Sequence, residues 1–118
     1  MSTEYLEHLG VMNDPKGFAH VRGICGDEME FYLSINGDII EDVRFRTDGC
    51  GYTRICGEAA ARLVTGKRIE EALSLSPALI MKVIANLPAD HLHCTILATI
   101  TFLKAMADYL YRRDLSQD

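Results

Sequence analysis

From Phe18 to Phe45 the chain alternates between apolar and polar side chains, and this constrains its fold more than any other feature. Met29, Phe31, Leu33 and Ile35 alternate with Glu30, Tyr32 and Ser34. Beyond Asn36-Gly37, Val43 and Phe45 alternate with Asp42, Arg44 and Arg46. A period of two sends successive side chains to opposite sides of an extended strand. Asn-Gly between two such runs signals a tight hairpin. A shorter run, Phe18 to Arg22, precedes the pair, so the pattern predicts three antiparallel strands with one apolar and one wet face. The apolar face needs a cover.

The rest of the chain supplies it. From Tyr52 onward the period becomes helical: Cys56, Ala59, Ala60, Leu63 and Val64 fall on one face, and Gly66 gives a C-terminal stop. Ile69 to Leu73 is a short helical turn. Ser76-Pro77 reads as an N-cap followed by proline at the first helical position, opening a helix to about Asn86. After Pro88 a long helix follows, with Leu92, Ile96, Ile100, Leu103, Ala107 and Leu110 as its expected apolar stripe. Strands followed by helices predict an α+β fold, a three-stranded antiparallel sheet with helices packed on one face.

With 118 residues there is room for one domain. We expect it to occupy residues 17–113, between a flexible N-terminal arm (1–16) and a short C-terminal tail (114–118). In the arm, Tyr5, Leu6 and Leu9 could line a short helix that Asn13-Asp14-Pro15 would end. Net charge is −5. The basic pairs Arg44/Arg46, Lys67/Arg68 and Arg112/Arg113 read as solvated surface, which speaks against nucleic acid as a partner. No run of about 18 apolar residues is present to cross a membrane. Met1 to Gly10 carries Glu4 and Glu7 without a basic cluster, unlike a secretory signal, so a cytoplasmic location with reduced thiols is expected.

Four cysteines stand at 25, 50, 56 and 94, without a CxxC pair. Three lie where backbone freedom and helix starts coincide. In Cys25-Gly26-Asp27 the thiol and carboxylate are two residues apart in an extended connection and project to one side. In Gly49-Cys50-Gly51, a helix N-terminus just beyond favours the thiolate. His93-Cys94 opens the last helix. If the three segments meet, they offer three sulfurs, a carboxylate and an imidazole, a donor set that selects zinc, copper(I) or iron–sulfur centres over magnesium or calcium. Neighbours on a helix point about 100° apart, so His93 and Cys94 do not both make ideal ligands of one metal. The fourth ligand beside Cys25, Cys50 and Cys94 is thus Asp27 or His93. A hard oxygen on a sulfur-loving centre would be exchangeable, as suits a site that releases its cargo. Cys56 falls on the apolar helix face and reads as core. His8, His20 and His91 read as packing or surface residues, and Glu70/Glu71 as a solvated helix start.

On these segments the chain resembles the IscU / NifU amino-terminal-domain family of iron–sulfur cluster scaffolds. The matching stretches are ICGDEM (24–29), TDGCGYTRICGEAAARLVTGKRIEEAL (47–73) and LPADHLHCTILATITFLKAMADY (87–109), and the order and spacing agree over about residues 13–112. The resemblance implies a scaffold and not an enzyme. It implies a transient 2Fe-2S cluster, sometimes converted to 4Fe-4S, built from iron, with zinc able to take the same site. It puts Cys25, Asp27, Cys50, His93 and Cys94 at the family's functional positions. Cys94 matches the cysteine that receives persulfide sulfur, and Asp27 the carboxylate linked to cluster lability. The implied partners are a pyridoxal-phosphate cysteine desulfurase, a ferredoxin-like electron donor and apo iron–sulfur acceptor proteins, and there is room for a homodimer. The family's LPPVK stretch, read by a specialised heat-shock chaperone, appears here as Leu87-Pro88-Ala89-Asp90-His91, and the amino-terminal signature is reduced to Asn13-Asp14-Pro15-Lys16-Gly17. The chain lacks the insertion after GCG typical of the zinc-dependent SufU branch, which favours the cluster scaffold over the alternative of a zinc-bound sulfurtransferase that activates a desulfurase.

Overall fold

The computed structural model of the chain describes residues 6–116. Three strands, β1 (Gly17–Arg22), β2 (Glu28–Asn36) and β3 (Ile39–Thr47), form an antiparallel sheet in the order β1-β2-β3. The hairpin loop is Gly37-Asp38, with Asn36 paired to Ile39. Met29, Phe31, Leu33, Val43 and Phe45 are fully buried, as the alternation predicts. One register shift between Ser34 and Ile35 pairs Asp42 with Ser34 and Ile40 with Ile35. The extra residue resets the alternation of β3, so Ile40 and Val43, three apart, share the buried face.

The helices are α1 (Gly51–Val64), α2 (Ile69–Ala72), α3 (Pro77–Val83) and α4 (Leu92–Ser116), with a single 3-10 turn at Ala89–His91 before α4. Ser76 caps α3, its Oγ accepting from the Leu79 N–H at 3.3 Å. The helix ends at Val83, three residues before the expected Asn86, because Ile84 turns to extended backbone and is itself buried. Helices α1 and α4 cover the apolar face of the sheet and touch each other, α4 over β1 and β2, α1 over β3. Phe31 sits between Phe45 and Phe102, with ring centroids 6.0 Å from each.

The expected stripe of α4 is a correction. Leu92, Ile96, Ile100 and Ala107 are exposed, and Leu103 and Leu110 only half-buried. The face against the sheet is Cys94, Leu97, Ala98, Thr101, Phe102, Ala105 and Met106. Small residues let the helix lie close to β1, where the Ala105 carbonyl comes up against Gly17. The buried threonines satisfy themselves within the helix: Thr99 donates to the Thr95 carbonyl at 2.8 Å and Thr101 to the Leu97 carbonyl at 2.7 Å. Phe102→Ala should therefore cost about 3–5 kcal/mol of unfolding free energy, whereas Ile100→Ala should stay within about 0.5 kcal/mol; urea unfolding of the two variants reads both.

The short helix expected at Leu6 and Leu9 is also absent; Tyr5 lies outside the described residues. Residues 8–10 run along the free edge of β3. Phe45 N–H donates to the His8 carbonyl at 3.0 Å, and Gly10 N–H to the Phe45 carbonyl at 2.8 Å. A free edge exposes unpaired backbone groups, and pairing this one gains two hydrogen bonds that a lone turn of helix lacks. Among the described residues, no helix is long and apolar enough to cross a membrane.

Candidate functional site

The loops at one end of the sheet carry the three cysteine segments. Cys25 sits in the turn between β1 and β2. Gly26 N–H donates to the Gly23 carbonyl at 3.0 Å and Gly23 N–H to the Asp27 carbonyl at 2.7 Å. The turn passes through Gly26 at φ +91°, a conformation that side-chain-bearing residues rarely adopt. Cys25 is exposed at its tip and Asp27 is half-buried at its exit. The second loop, between β3 and α1, is tied to this one. Thr47 Oγ1 donates to the Glu28 carbonyl at 2.6 Å, and Glu28 N–H donates to Asp48 Oδ1 at 2.7 Å. At Gly49 a Cβ would meet Asp27 Oδ2, Thr53 Cβ and Thr53 Cγ2 at 2.7 Å each. Glycine at this position therefore lets the Cys50 loop close onto the Asp27 carboxylate.

Thr53 brings the segments together. Its hydroxyl donates to Asp27 Oδ2 at 3.0 Å. The same oxygen lies 3.3 Å from Cys94 Sγ and 3.7 Å from Cys50 Sγ. One atom thus touches a donor from each of three segments: the β1–β2 turn, the start of α1 and the start of α4. The Thr53 hydroxyl has a single proton: while it donates to Asp27 the thiols donate to its oxygen, and where a thiolate forms it can turn to that sulfur instead. Cys25 lies near enough that its charge bears on Cys94.

The thiols differ in character. Burial pushes the Cys50 pKa up, but the Thr53 backbone N–H and hydroxyl and the Tyr52 N–H outweigh it, and Cys50 ends below its ordinary value. These donors belong to the first turn of α1, where the orphan N–H groups favour an anion. Burial holds Cys94 above the ordinary thiol range; the Thr53 hydroxyl pulls it down, while charges at Cys50, Cys25 and Asp27 push it up. Cys94 is only 1% exposed, whereas Cys25 and Cys50 are exposed. Cys56 lies in the core, and burial first, then the neighbouring Cys94 and Cys50, pushes it to about 12. Its burial agrees with its reading as a core residue. Iodoacetamide at neutral pH should mark Cys50 and Cys25 in the native protein. It should modify Cys56 at least about 1,000-fold more slowly than Cys50, given the thiolate fractions; mass spectrometry of timed digests reads the order.

His93 stands apart from the Thr53 group. Among the described residues no hydrogen bond joins it to Asp27 or to a cysteine. Its ring stacks on His91 at 6.1 Å between centroids, and the His91 ring lies tilted against Tyr52 with centroids 4.3 Å apart. His93 also lines an apolar groove with Val21, Ile24, Ile96, Leu97 and Ile100. The His91 Nδ1 is buried without a hydrogen-bond partner among the described residues. Of the two candidates for a fourth donor, Asp27 is the one already drawn in beside Cys50 and Cys94. Thr53 was not singled out by the sequence reading. Its signal was its place three residues after Cys50, which puts both on one side of the first helical turn.

Comparison with known proteins bears on the family and the fold. Residues 6–116 match the NifU-like N terminal domain family. The chain is 36% identical over 126 residues to the iron–sulfur cluster assembly scaffold protein IscU of Aquifex aeolicus, covering 96% of this chain and 80% of that protein. It is also 36% identical over 91 residues to the IscU of Escherichia coli K12, covering 76% of this chain and 70% of that one. In fold it is similar to the N-terminal NifU-like protein of Brucella abortus, with a TM-score of 0.71 at 16% identity over 93% of this chain and 90% of that one. A scaffold protein of the SUF system from Fervidobacterium islandicum gives a TM-score of 0.70 at 17% identity over 88% of this chain and 90% of that one. With its matched length, its sheet-and-helix architecture and its cysteine-bearing loops, the chain belongs to the NifU-like N-terminal domain family, together with the IscU proteins.

Proposed function

We propose that the protein is an iron–sulfur cluster assembly scaffold whose cargo is held by Cys25, Cys50 and Cys94 with Asp27 as the exchangeable fourth ligand. The observation that carries this reading is the Thr53 hydroxyl in contact with Asp27, Cys50 and Cys94 at once. The IscU relatives bear the name of such scaffolds. Three thiolates and a carboxylate suit a cluster that must leave; durable carriers generally use four cysteines. The cluster is built on the chain and leaves with an acceptor, and no substrate turns over at a fixed catalytic site, so the chain is a scaffold and not an enzyme.

In this reading a pyridoxal-phosphate cysteine desulfurase docks over the exposed loops and delivers a persulfide sulfur. Cys94 is the acceptor. Its sulfur is covered, so the loops around it must open before transfer. Iron(II) enters through the exposed Cys25 and Cys50. Two such deliveries bring two sulfurs, and the Cys94 thiolate returns each time. Their reduction to sulfide takes four electrons, two from a ferredoxin-like donor and one from each of two iron(II), and a 2Fe-2S cluster of two iron(III) forms. An apo acceptor then takes the cluster by exchange at the Asp27 position. His93, beside the groove, moves protons or replaces a departing ligand.

The alternative is a zinc-bound, SufU-like activator of the desulfurase, and the fold likeness to a SUF-system scaffold favours keeping it. Anaerobic incubation with iron(II), cysteine, a desulfurase and a reductant separates the two. We expect visible charge-transfer absorption that a chelator bleaches. A colourless protein that keeps one tight zinc would favour the activator instead.

A further inference from the structure

Away from the thiol site, Glu7, His8 and Glu58 gather where the segment before β1 crosses β3 and α1. One ligand atom from each lies within 4.8 Å of the others. Glu58 is completely buried and His8 only 7% exposed. The His8 Nδ1 lies 2.9 Å from the Val43 carbonyl oxygen. A carbonyl only accepts, so Nδ1 carries the proton, and in the neutral ring Nε2 keeps its lone pair. That lone pair is turned toward Glu58 Oε2 at 4.0 Å, beyond hydrogen-bond range. With the ring neutral, two acceptors face each other inside the protein with a gap between them that a cation can fill.

We propose that Glu7, His8 and Glu58 form a second metal site that takes a divalent first-row cation such as zinc(II) or iron(II) and clamps the N-terminal segment onto β3 and α1. A histidine that donates one ring N–H to a backbone carbonyl and offers the other nitrogen is the habitual form of a metal-binding histidine. Glu58 is held in place: its Oε1 accepts the His8 backbone N–H at 2.9 Å, and its Oε2 accepts Arg62 Nε at 2.7 Å. Each carboxylate oxygen has two lone pairs, so one remains on each for a cation. Glu7 is exposed and its side chain can swing in, while its carbonyl is anchored by Arg44 at 2.9 Å. Bonds of about 2.0–2.2 Å to nitrogen and oxygen require the three atoms to close by about an ångström. Arg62 pairs with Glu58 at 2.7 Å; a divalent cation would balance the two carboxylates. Imidazole and carboxylate select harder cations than the thiol site does. The inference stands apart from the scaffold reading.

Cobalt(II) chloride, added to the full-length apoprotein under argon, is the test. Thiolate-bound cobalt gives intense charge-transfer absorption, and nitrogen/oxygen-bound cobalt gives only weak d–d bands. We expect two classes in the wild type, the second without thiolate absorption. Glu7→Gln and His8→Gln should each abolish the second class and leave the first. Glu7 is exposed, so its substitution leaves the fold intact, which circular dichroism verifies. The proposal is overturned if cobalt stops at the thiolate class, if the second class survives Glu7→Gln and His8→Gln, or if His8 resonances respond to pH but not to metal.

Discussion

Serine in place of Cys25, Cys50 or Cys94, one at a time, should abolish stable cluster assembly, while Cys56→Ser should leave it intact. Serine keeps the size of the side chain but replaces a soft thiolate with a hydroxyl that a sulfur-loving centre does not take up. The first three positions lie in different segments, and Thr53 already draws Cys50 and Cys94 to one point. Losing any of them leaves two sulfurs and a carboxylate. We expect the reconstituted absorption to fall at least about tenfold, the equivalent of about 1.4 kcal/mol or more in the binding equilibrium. Cys56 faces the core of α1 and is fully buried. Its serine variant should lose some stability through a buried hydroxyl, about 1–3 kcal/mol if unpartnered, and keep full absorption. Visible absorption per mole of folded protein after anaerobic reconstitution is the measurement. A Cys56→Ser protein as colourless as the other three would show that the ligand set has been misassigned.

Asp27→Ala should act in the opposite direction and make the cluster harder to remove. The carboxylate is a hard ligand at a soft site, and Thr53 competes for its Oδ2 at 3.0 Å. Both features weaken its hold on an iron and make this corner the entry point for a chelator or an acceptor. Without Asp27 the neighbouring side chains close over that corner, and exchange slows. We expect the half-life of the chromophore under excess chelator to lengthen about tenfold, with the yield of assembly largely retained. A shorter half-life would make Asp27 a simple structural ligand. His93→Ala provides the contrast: with His93 outside the Thr53 group, its loss should alter chelator resistance less than the loss of Asp27.

Much of this architecture could be read from residue order. The alternation of Met29 to Ile35 and of Val43 and Phe45 located two strands and their buried face. The period change at Tyr52 located α1, and Ser76-Pro77 the start of α3. Ile40 escaped because the irregularity opposite Ser34 and Ile35 breaks the period of two. The face of α4 was misread because the helix carries apolar residues on both sides. The side with the larger aliphatic residues, Ile96 and Ile100, faces outward, while the buried side contains threonines that bond to their own helix. Hydropathy counts those threonines as polar, but the geometry has already satisfied them. The edge contact of His8 to Gly10 was illegible because pairing with β3 depends on a neighbour 35 residues away.

At the site, the segments around Cys25, Cys50 and Cys94 announced themselves through their glycines and helix starts. Their meeting at Thr53 did not, since a single threonine carries no periodic signal. The burial of Cys94 was equally hidden. It follows from the same misread helix: position 94 lies on the face that packs inward, together with Leu97, Ala98 and Thr101. That burial gives the scaffold reading its main mechanical requirement, an opening around Cys94 before sulfur can arrive.

Iron-57 tracing tests the central claim most directly. The protein is loaded anaerobically with labelled iron(II), cysteine, the desulfurase and a reductant, separated from free iron, and mixed with an apo-ferredoxin in the presence of a chelator. The account predicts that the label reaches the acceptor as an intact cluster, with the acceptor's Mössbauer spectrum appearing as the donor's disappears. Label recovered only in the chelator, or held by the donor while the acceptor stays empty, would contradict it.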